Sequence, residues 1–250
     1  MDSLENIIEV KEISKSFNNS NFKIENLSFE LKKGQITGLV GKNGAGKTTI
    51  IKILIGLLAP DSGSIKILNE DLKKNFGKVK NKIGYMHTEY HFYDYLTGRE
   101  FLQFIGEIKG MKNLLIEERI KTYSEYFELE DLLDSIIINY SHGTKQKLSF
   151  ISQIINNPDI LILDEPLNGL DPIMIKKMRE LIKNLAINND MCILVSAHQL
   201  SFIKEICNAI ILVDNGRLLL NKEILDSNLD LFENEILNLL EKNKELNYVW

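Results

Sequence analysis

Residues 41–49 read Gly-Lys-Asn-Gly-Ala-Gly-Lys-Thr-Thr and follow directly on the apolar run Ile36-Thr37-Gly38-Leu39-Val40. The segment fits the pattern G-x-x-x-x-G-K-[ST], with Gly41, Gly46, Lys47 and Thr48 at its fixed places. Each residue type answers a need of phosphate binding. Glycines allow positive φ and let backbone N–H groups crowd around an anion. The loop feeds a helix whose positive N-terminal end faces the same anion. Lys47 can reach the β- and γ-phosphates of a nucleotide, and the Thr48 hydroxyl can ligate Mg²⁺. The flanks agree: Ile50, Ile53, Leu54, Leu57 and Leu58 form a helical apolar stripe that stops at the turn Pro60-Asp61-Ser62-Gly63. Gly41, Lys42, Asn43, Gly44, Ala45, Gly46, Lys47, Thr48 and Thr49 are therefore the candidate phosphate-loop contacts.

The chain has 250 residues, of which 44% are hydrophobic and 26% charged, enough for a sizeable core. Its net charge of -5 argues against nucleic acid as a partner. The two cysteines, Cys192 and Cys207, are too few for a disulfide framework, and Cys192 in the run Met-Cys-Ile-Leu-Val reads as a reduced core residue. The start, MDSLENIIEV, lacks the basic and apolar regions of a signal peptide. No uncharged apolar run approaches the ~18 residues of a membrane span. The longest candidate, Ile50 to Ala59, is short and holds Lys52. A soluble, cytoplasmic protein is expected, with any membrane link made through a partner.

The first 35 residues read as paired strands around the turn Asn18-Asn19-Ser20-Asn21. The loop strand and helix follow, then a short strand at Ser64–Leu68. Residues 97–155 read mainly as helices, for example Arg99–Lys109 and Lys145–Ile155. Beyond the break Asn156-Asn157-Pro158 come an apolar strand, Ile160–Leu163, and a helix opened by Asp171-Pro172. A strand at Cys192–Val195 follows, and Asp214-Asn215-Gly216 turns a hairpin between Ile210–Val213 and Arg217–Leu220. Strands alternating with helices imply an α/β fold with a mostly parallel sheet. An antiparallel sheet at the N-terminus and a helical insert in the middle complete it.

Two further segments carry chemistry. Ile160-Leu161-Ile162-Leu163-Asp164-Glu165-Pro166 is an apolar strand ending in two carboxylates, at the end where open α/β sheets bind ligands. Asp164 suits Mg²⁺ coordination, and Glu165 can turn toward an attacking water as general base. Between this strand and the phosphate loop lies Tyr140-Ser141-His142-Gly143-Thr144-Lys145-Gln146-Lys147, which opens a helix with Ser141 as a natural N-cap.

With these motifs in order, the chain resembles the ATP-binding subunits of ABC transporters, whose signature is L-S-G-G-Q where YSHGTKQK stands. The resemblance covers about residues 5–220. It also rests on ILILDEP, on Leu167-Asn168-Gly169-Leu170-Asp171 and on Ser196-Ala197-His198. The form Tyr-Ser-x-Gly-x-Lys-Gln looks like bacterial exporters of antibiotics, lantibiotics and peptides whose ATPase is a separate chain. The resemblance implies a P-loop NTPase core at residues 1–220, with an inserted α-helical subdomain at about 88–155 and a helical tail at 221–250. It implies ATP and Mg²⁺ as ligands, a transmembrane permease subunit and a second ATPase subunit as partners, and a place on the inner face of the cell membrane. Ser141 and Gly143 would contact the γ-phosphate of an ATP held by the opposite subunit. Asp171 would lie at the dimer interface, His198 would contact the γ-phosphate, and Phe17 would sit under adenine.

This chain departs from the family at several places. His142 and Thr144 replace a glycine and the glutamine of the signature. Thr88, in Ile83-Gly84-Tyr85-Met86-His87-Thr88-Glu89, stands where the family usually has a glutamine that touches Mg²⁺ and water. Glu89 compensates, or the loop reaches the metal through water, or coupling is altered. Tyr85, Tyr90, Phe92, Tyr93 and Tyr95 crowd one stretch that divides between core and a docking surface. His87 and His91 are four apart but lack a third ligand. The tail places Leu229, Phe232, Ile236, Leu239 and Leu240 at helical spacing.

The reading is an ATPase that powers an exporter by ATP-driven dimerisation. A weakly hydrolysing nucleotide-binding regulator, or a soluble ATPase of the same family acting on DNA or ribosomes, are the alternatives.

Overall fold

Five parallel strands, each nearly all apolar, build the central sheet of this computed structural model, which describes residues 5–18, 20–89, 92–167, 170–197, 200–224, 236 and 239. They are β3 (Ile36–Val40), β6 (Ile83–Met86), β7 (Ile160–Asp164), β8 (Cys192–Ala197) and β9 (Ala209–Asp214). Strand β10 (Arg217–Glu223) closes one edge antiparallel to β9, giving the order β10-β9-β3-β8-β7-β6. Every residue of β3, β7, β8 and β9 is buried, as expected of parallel strands covered on both faces. A second, antiparallel sheet combines β1 (Asn6–Phe17), β2 (Ser20–Lys32), β4 (Ser62–Ile67) and β5 (Glu70–Asp71) in the order β2-β1-β4-β5.

Side chains of a strand alternate between faces, and the core divides accordingly. Leu39, Ile160, Ile162, Leu194, Ile211 and Val213 pack with the antiparallel sheet and α1 (Lys47–Leu54). Val40, Leu161, Leu163, Ile193, Val195, Ile210 and Leu212 face the other way. There they meet α3 (Gly98–Ile108), α4 (Asn113–Phe127), α5 (His142–Ile154), α6 (Pro172–Asn189) and α7 (Leu200–Ile206). Helices α3, α4 and α5 all fall between β6 and β7. One further helix, α2 (Leu72–Val79), follows β5, and it is kinked at Asn75.

Helix starts obey local chemistry. Thr97 and Glu100 form a reciprocal capping box on α3. The Asp171 carboxylate accepts from the N–H groups of Ile173 and Met174, both at 3.0 Å, ahead of Pro172 at the first helical position. Strand β10 runs to Glu223, so the segment expected as a tail from residue 221 opens with the last residues of a strand. Ile236 is buried and Leu239 half-buried, both helical and packed on the larger core. Leu229, Phe232 and Leu240 lie outside the described residues, as do Tyr90, His91, Asn168 and Gly169.

The aromatic stretch divides. Phe92 is half-buried, with its ring edge-on to Phe101 at 5.1 Å, and Tyr85 packs against the smaller core. Tyr93 and Tyr95 are exposed.

Candidate nucleotide site

The phosphate loop is held from below. Strand β3 ends at Val40, and α1 begins at Lys47 with Gly46 as its N-cap at φ 112°, a left-handed position that a Cβ disfavours. No side chain caps this helix and no acidic residue occupies its first turn. Its first N–H groups therefore remain an anion site. The turn after β9 seats the loop: the Gly216 N–H donates to the Ala45 carbonyl at 2.9 Å, and the Gly216 carbonyl accepts from Glu25 N–H at 2.9 Å. Lys47 is 7% exposed, and its ammonium donates to the carbonyls of Gly41 at 2.6 Å and Lys42 at 3.2 Å. Burial lowers its pKa below that of an ordinary lysine, and the charges of Glu165 and Asp164 oppose that shift. The side chain is thus pre-aimed along the loop before any phosphate arrives.

The alternation of β7 decides where the carboxylates go. Ile160 and Ile162 face the α1 side, so Asp164, two residues further, shares that face. On β8, Cys192 and Leu194 face the same side, and Ser196 is the residue paired with Asp164. The Ser196 hydroxyl donates to Asp164 Oδ1 at 2.5 Å. Asp164 is 4% exposed, and its Oδ2 has no hydrogen-bond partner among the described residues. Glu165 turns away from the strand direction at φ +53°, an uncommon conformation for a residue with a side chain. Its N–H donates to Ser196 Oγ at 3.1 Å and to the Ser196 carbonyl at 3.3 Å. From the other flank, the Thr88 hydroxyl donates to the Asp164 carbonyl at 3.5 Å.

A cavity of about 260 Å³ opens over these groups, lined by Phe22, Lys42, Asn43, Gly44, Gly46, Lys47, Thr48, Thr49 and Glu165. The structure thus brings the loop residues and Glu165 to one wall. Gly41 and Ala45 are buried behind the loop, and the Thr48 side chain is exposed. Phe17 does not line the cavity. Phe22 does, and Phe17 stands beside it with ring centroids 6.3 Å apart. Ser141, Gly143 and Asp171 lie apart from this cavity at the starts of α5 and α6. His198 lies outside the described residues. A larger open groove of about 480 Å³ is lined by β1, β2, β3, β9 and β10. It contains no phosphate loop and none of the predicted site residues, so the smaller cavity is where the chemistry collects.

The family model described as "ABC transporter" matches residues 24–168. The chain belongs to this family. It is 37% identical over 214 residues to the bacitracin transport ATP-binding protein BcrA of Bacillus licheniformis, covering 85% of this chain and 68% of that one. It is 32% identical to an ABC transporter ATP-binding protein, YhcH, of Bacillus subtilis, with 91% and 73% covered. A solved structure of the ATP-binding subunit of an ABC transporter superposes with a TM-score of 0.85 at 29% identity, covering 94% of this chain and 99% of that one.

Sequence motifs of an ABC ATP-binding subunit do not announce every residue that shapes this site. Phe22 escapes notice because its contact with the loop depends on how β2 passes over α1. Gln146 is fully buried on α5, and its Nε2 donates to the Pro166 carbonyl, tying the signature helix to the turn after Glu165. Ser196 sits in an apolar strand where nothing local distinguishes it from a satisfied core hydroxyl. For Ser196, a hydroxyl inside the apolar run Cys192–Ala197 is the one available signal. No described helix is long and apolar enough to cross a membrane.

Proposed function

We propose that this ABC subunit hydrolyses ATP and drives an exporter through a membrane-embedded permease, paired with a second ATPase subunit. The observation that carries this reading is one cavity wall built from Lys47, Thr48 and Glu165, with buried Asp164 behind it. Lys47 and the open N-terminus of α1 would neutralise charge on the terminal phosphates. Glu165 would take a proton from the attacking water, a contribution on the order of 10²–10⁴-fold. Mg²⁺, when bound, would spread charge developing on the transferred phosphate. Thr48 and Asp164 fit it: an exposed hydroxyl and a carboxylate with one uncommitted oxygen are the hard oxygen donors it takes, in small number. Ser141, Gly143, Asp171 and His198 are proposed to complete the site across the dimer, as the family resemblance implies.

The partner reading has its own support. Tyr93 and Tyr95 are 60% and 83% exposed beside half-exposed Phe104 on α3, and aromatic clusters of this kind favour interfaces. Export, rather than import, rests on the Tyr-Ser-x-Gly-x-Lys-Gln form of the signature, together with relatives such as the bacitracin transport protein. The proposed place is the inner face of the cell membrane, held there by the permease.

Glu165→Gln tests the chemistry. It removes the base and leaves the phosphate cradle intact, so ATP binding is expected to persist while turnover falls at least a hundredfold. The variant is expected to accumulate as an ATP-bound dimer visible by gel filtration. Turnover within threefold of wild type would reject Glu165 as the base.

A further inference from the structure

We infer that Ser196 is the positioning residue that holds both acidic groups of the site, so that ATP hydrolysis, and not ATP binding, depends on its hydroxyl. The inference rests on the ATPase reading above. A serine hydroxyl has one proton to give and lone pairs to accept with. Here the proton goes to Asp164 Oδ1, and a lone pair takes the Glu165 N–H at 3.1 Å. One atom on β8 therefore fixes the rotamer of one carboxylate and the backbone of the next residue. Both tasks are needed. Asp164 has one oxygen committed to Ser196 and the other left for ligands, and that division fails if its carboxyl group rotates. Glu165 is held at φ +53°, a conformation that persists only where neighbours impose it.

The neighbouring contacts are weaker. Thr88, on the opposite flank, reaches only the Asp164 backbone carbonyl, at 3.5 Å, and so does not orient the carboxylate. A second bond of the Glu165 N–H, to the Ser196 carbonyl, is longer at 3.3 Å. Ser196 is wholly buried, so bulk water does not replace a lost hydroxyl. Its neighbours across the strand pairs are Leu39 on β3 and Asp164 itself on β7, and alanine fits the same space without strain.

The test uses the full chain with Ser196→Ala and Ser196→Thr. Four quantities are read: kcat and KM with Mg·ATP, the Kd for ATP without metal, Tm, and amide exchange of Glu165 in nucleotide-free protein. Groups that orient catalytic ligands from behind commonly carry about 10–100-fold in activity. Ser196→Ala is expected to lower kcat by that amount, with KM and metal-free Kd close to wild type and Tm lower by a few degrees, the cost of one buried acceptor left unpaired. Exchange of the Glu165 amide is expected to speed up about five- to tenfold, the equivalent of one ordinary hydrogen bond. Ser196→Thr, which keeps the hydroxyl, is expected to restore most of kcat and the slow exchange. An Ala variant with kcat within threefold of wild type would overturn the inference. So would loss of activity in step with Tm and ATP affinity, which marks a hydroxyl that merely supports the fold. A wild-type chain without turnover would overturn the ATPase reading as well, whereas normal wild-type turnover indifferent to Ser196→Ala would overturn this inference alone.

Discussion

Lys47 shows how much a single residue can be made to do before its ligand arrives. Its ammonium is buried at a cost in solvation, which the lowered pKa registers. Two loop carbonyls aim it, and the charges of Glu165 and Asp164 oppose the lowering. Lys47→Ala removes a charge-assisted contact to the phosphates, of about 1.5–3 kcal/mol. The Kd for ATP is expected to rise about ten- to a hundredfold, measured by titration calorimetry, with Tm unchanged or slightly raised. An unchanged Kd would contradict its assignment to the phosphates. Lys47, Asp164 and Glu165 are legible in the sequence because their chemistry demands fixed spacing along the chain. The contacts of Ser196 and Phe22 are not, although Ser196 stands in the motif Ser196-Ala197-His198, because each acts on a residue brought near by strand pairing or by the path of β2, and a single sequence records neither.

At the scale of elements, caps and turns were legible where one side chain dictates the backbone. Asp171-Pro172 opens α6, Ser141 caps α5 with its hydroxyl accepting from Thr144 N–H, and Asp214-Asn215-Gly216 turns from β9 to β10. Strand β6 and helix α2 were not read as elements. The first has only four residues, and the second carries its apolar positions Leu72, Phe76 and Val79 over just eight residues kinked at Asn75, too short a stretch for the period to stand out. The hairpin turn has a second duty that its sequence conceals. Gly216 lies at φ +73°, and a Cβ there would stand 1.8 Å from the Lys23 carbonyl oxygen. The same glycine bonds the phosphate loop through Ala45. Gly216→Ala must push the turn off β2 or the loop, because the obstacle is backbone. A strained position of this kind costs on the order of 1–3 kcal/mol. Tm is expected to fall by roughly 2–12 °C, and ATP affinity to fall with it, since the loop loses its seat. Calorimetric melting and ATP titration of the same variant decide this; wild-type values in both would show that the turn and the loop are mechanically independent.

For the whole molecule, the proposed coupling to a permease needs a docking surface on a chain none of whose described helices is long and apolar enough to cross a membrane. Tyr93 packs edge-on against Phe104 with ring centroids 5.5 Å apart. Ile108, four residues beyond Phe104 on the same face of α3, is also exposed, as is Tyr95. Tyr93 and Phe104 thus form an exposed aromatic pair, with exposed Tyr95 two residues from the first and Ile108 one turn beyond the second; this is the ridge on which docking is proposed. Tyr93 follows Thr88 by five residues, and the Thr88 hydroxyl donates to the Asp164 backbone carbonyl. The proposal is that a short cytoplasmic helix of the permease lies here with its apolar face inward. Loss of an aromatic hot spot commonly costs about 2 kcal/mol or more, some thirtyfold in affinity. Replacing Tyr93 and Tyr95 together by alanine is expected to abolish co-purification with the permease, while ATP binding and Tm of the isolated chain stay at wild-type values. Phe92→Ala, one residue away but turned into the core against Phe101, is expected to do the reverse and lower Tm. If the tyrosine pair instead destabilises the isolated chain and leaves association intact, the ridge belongs to the fold, and the permease must engage another surface.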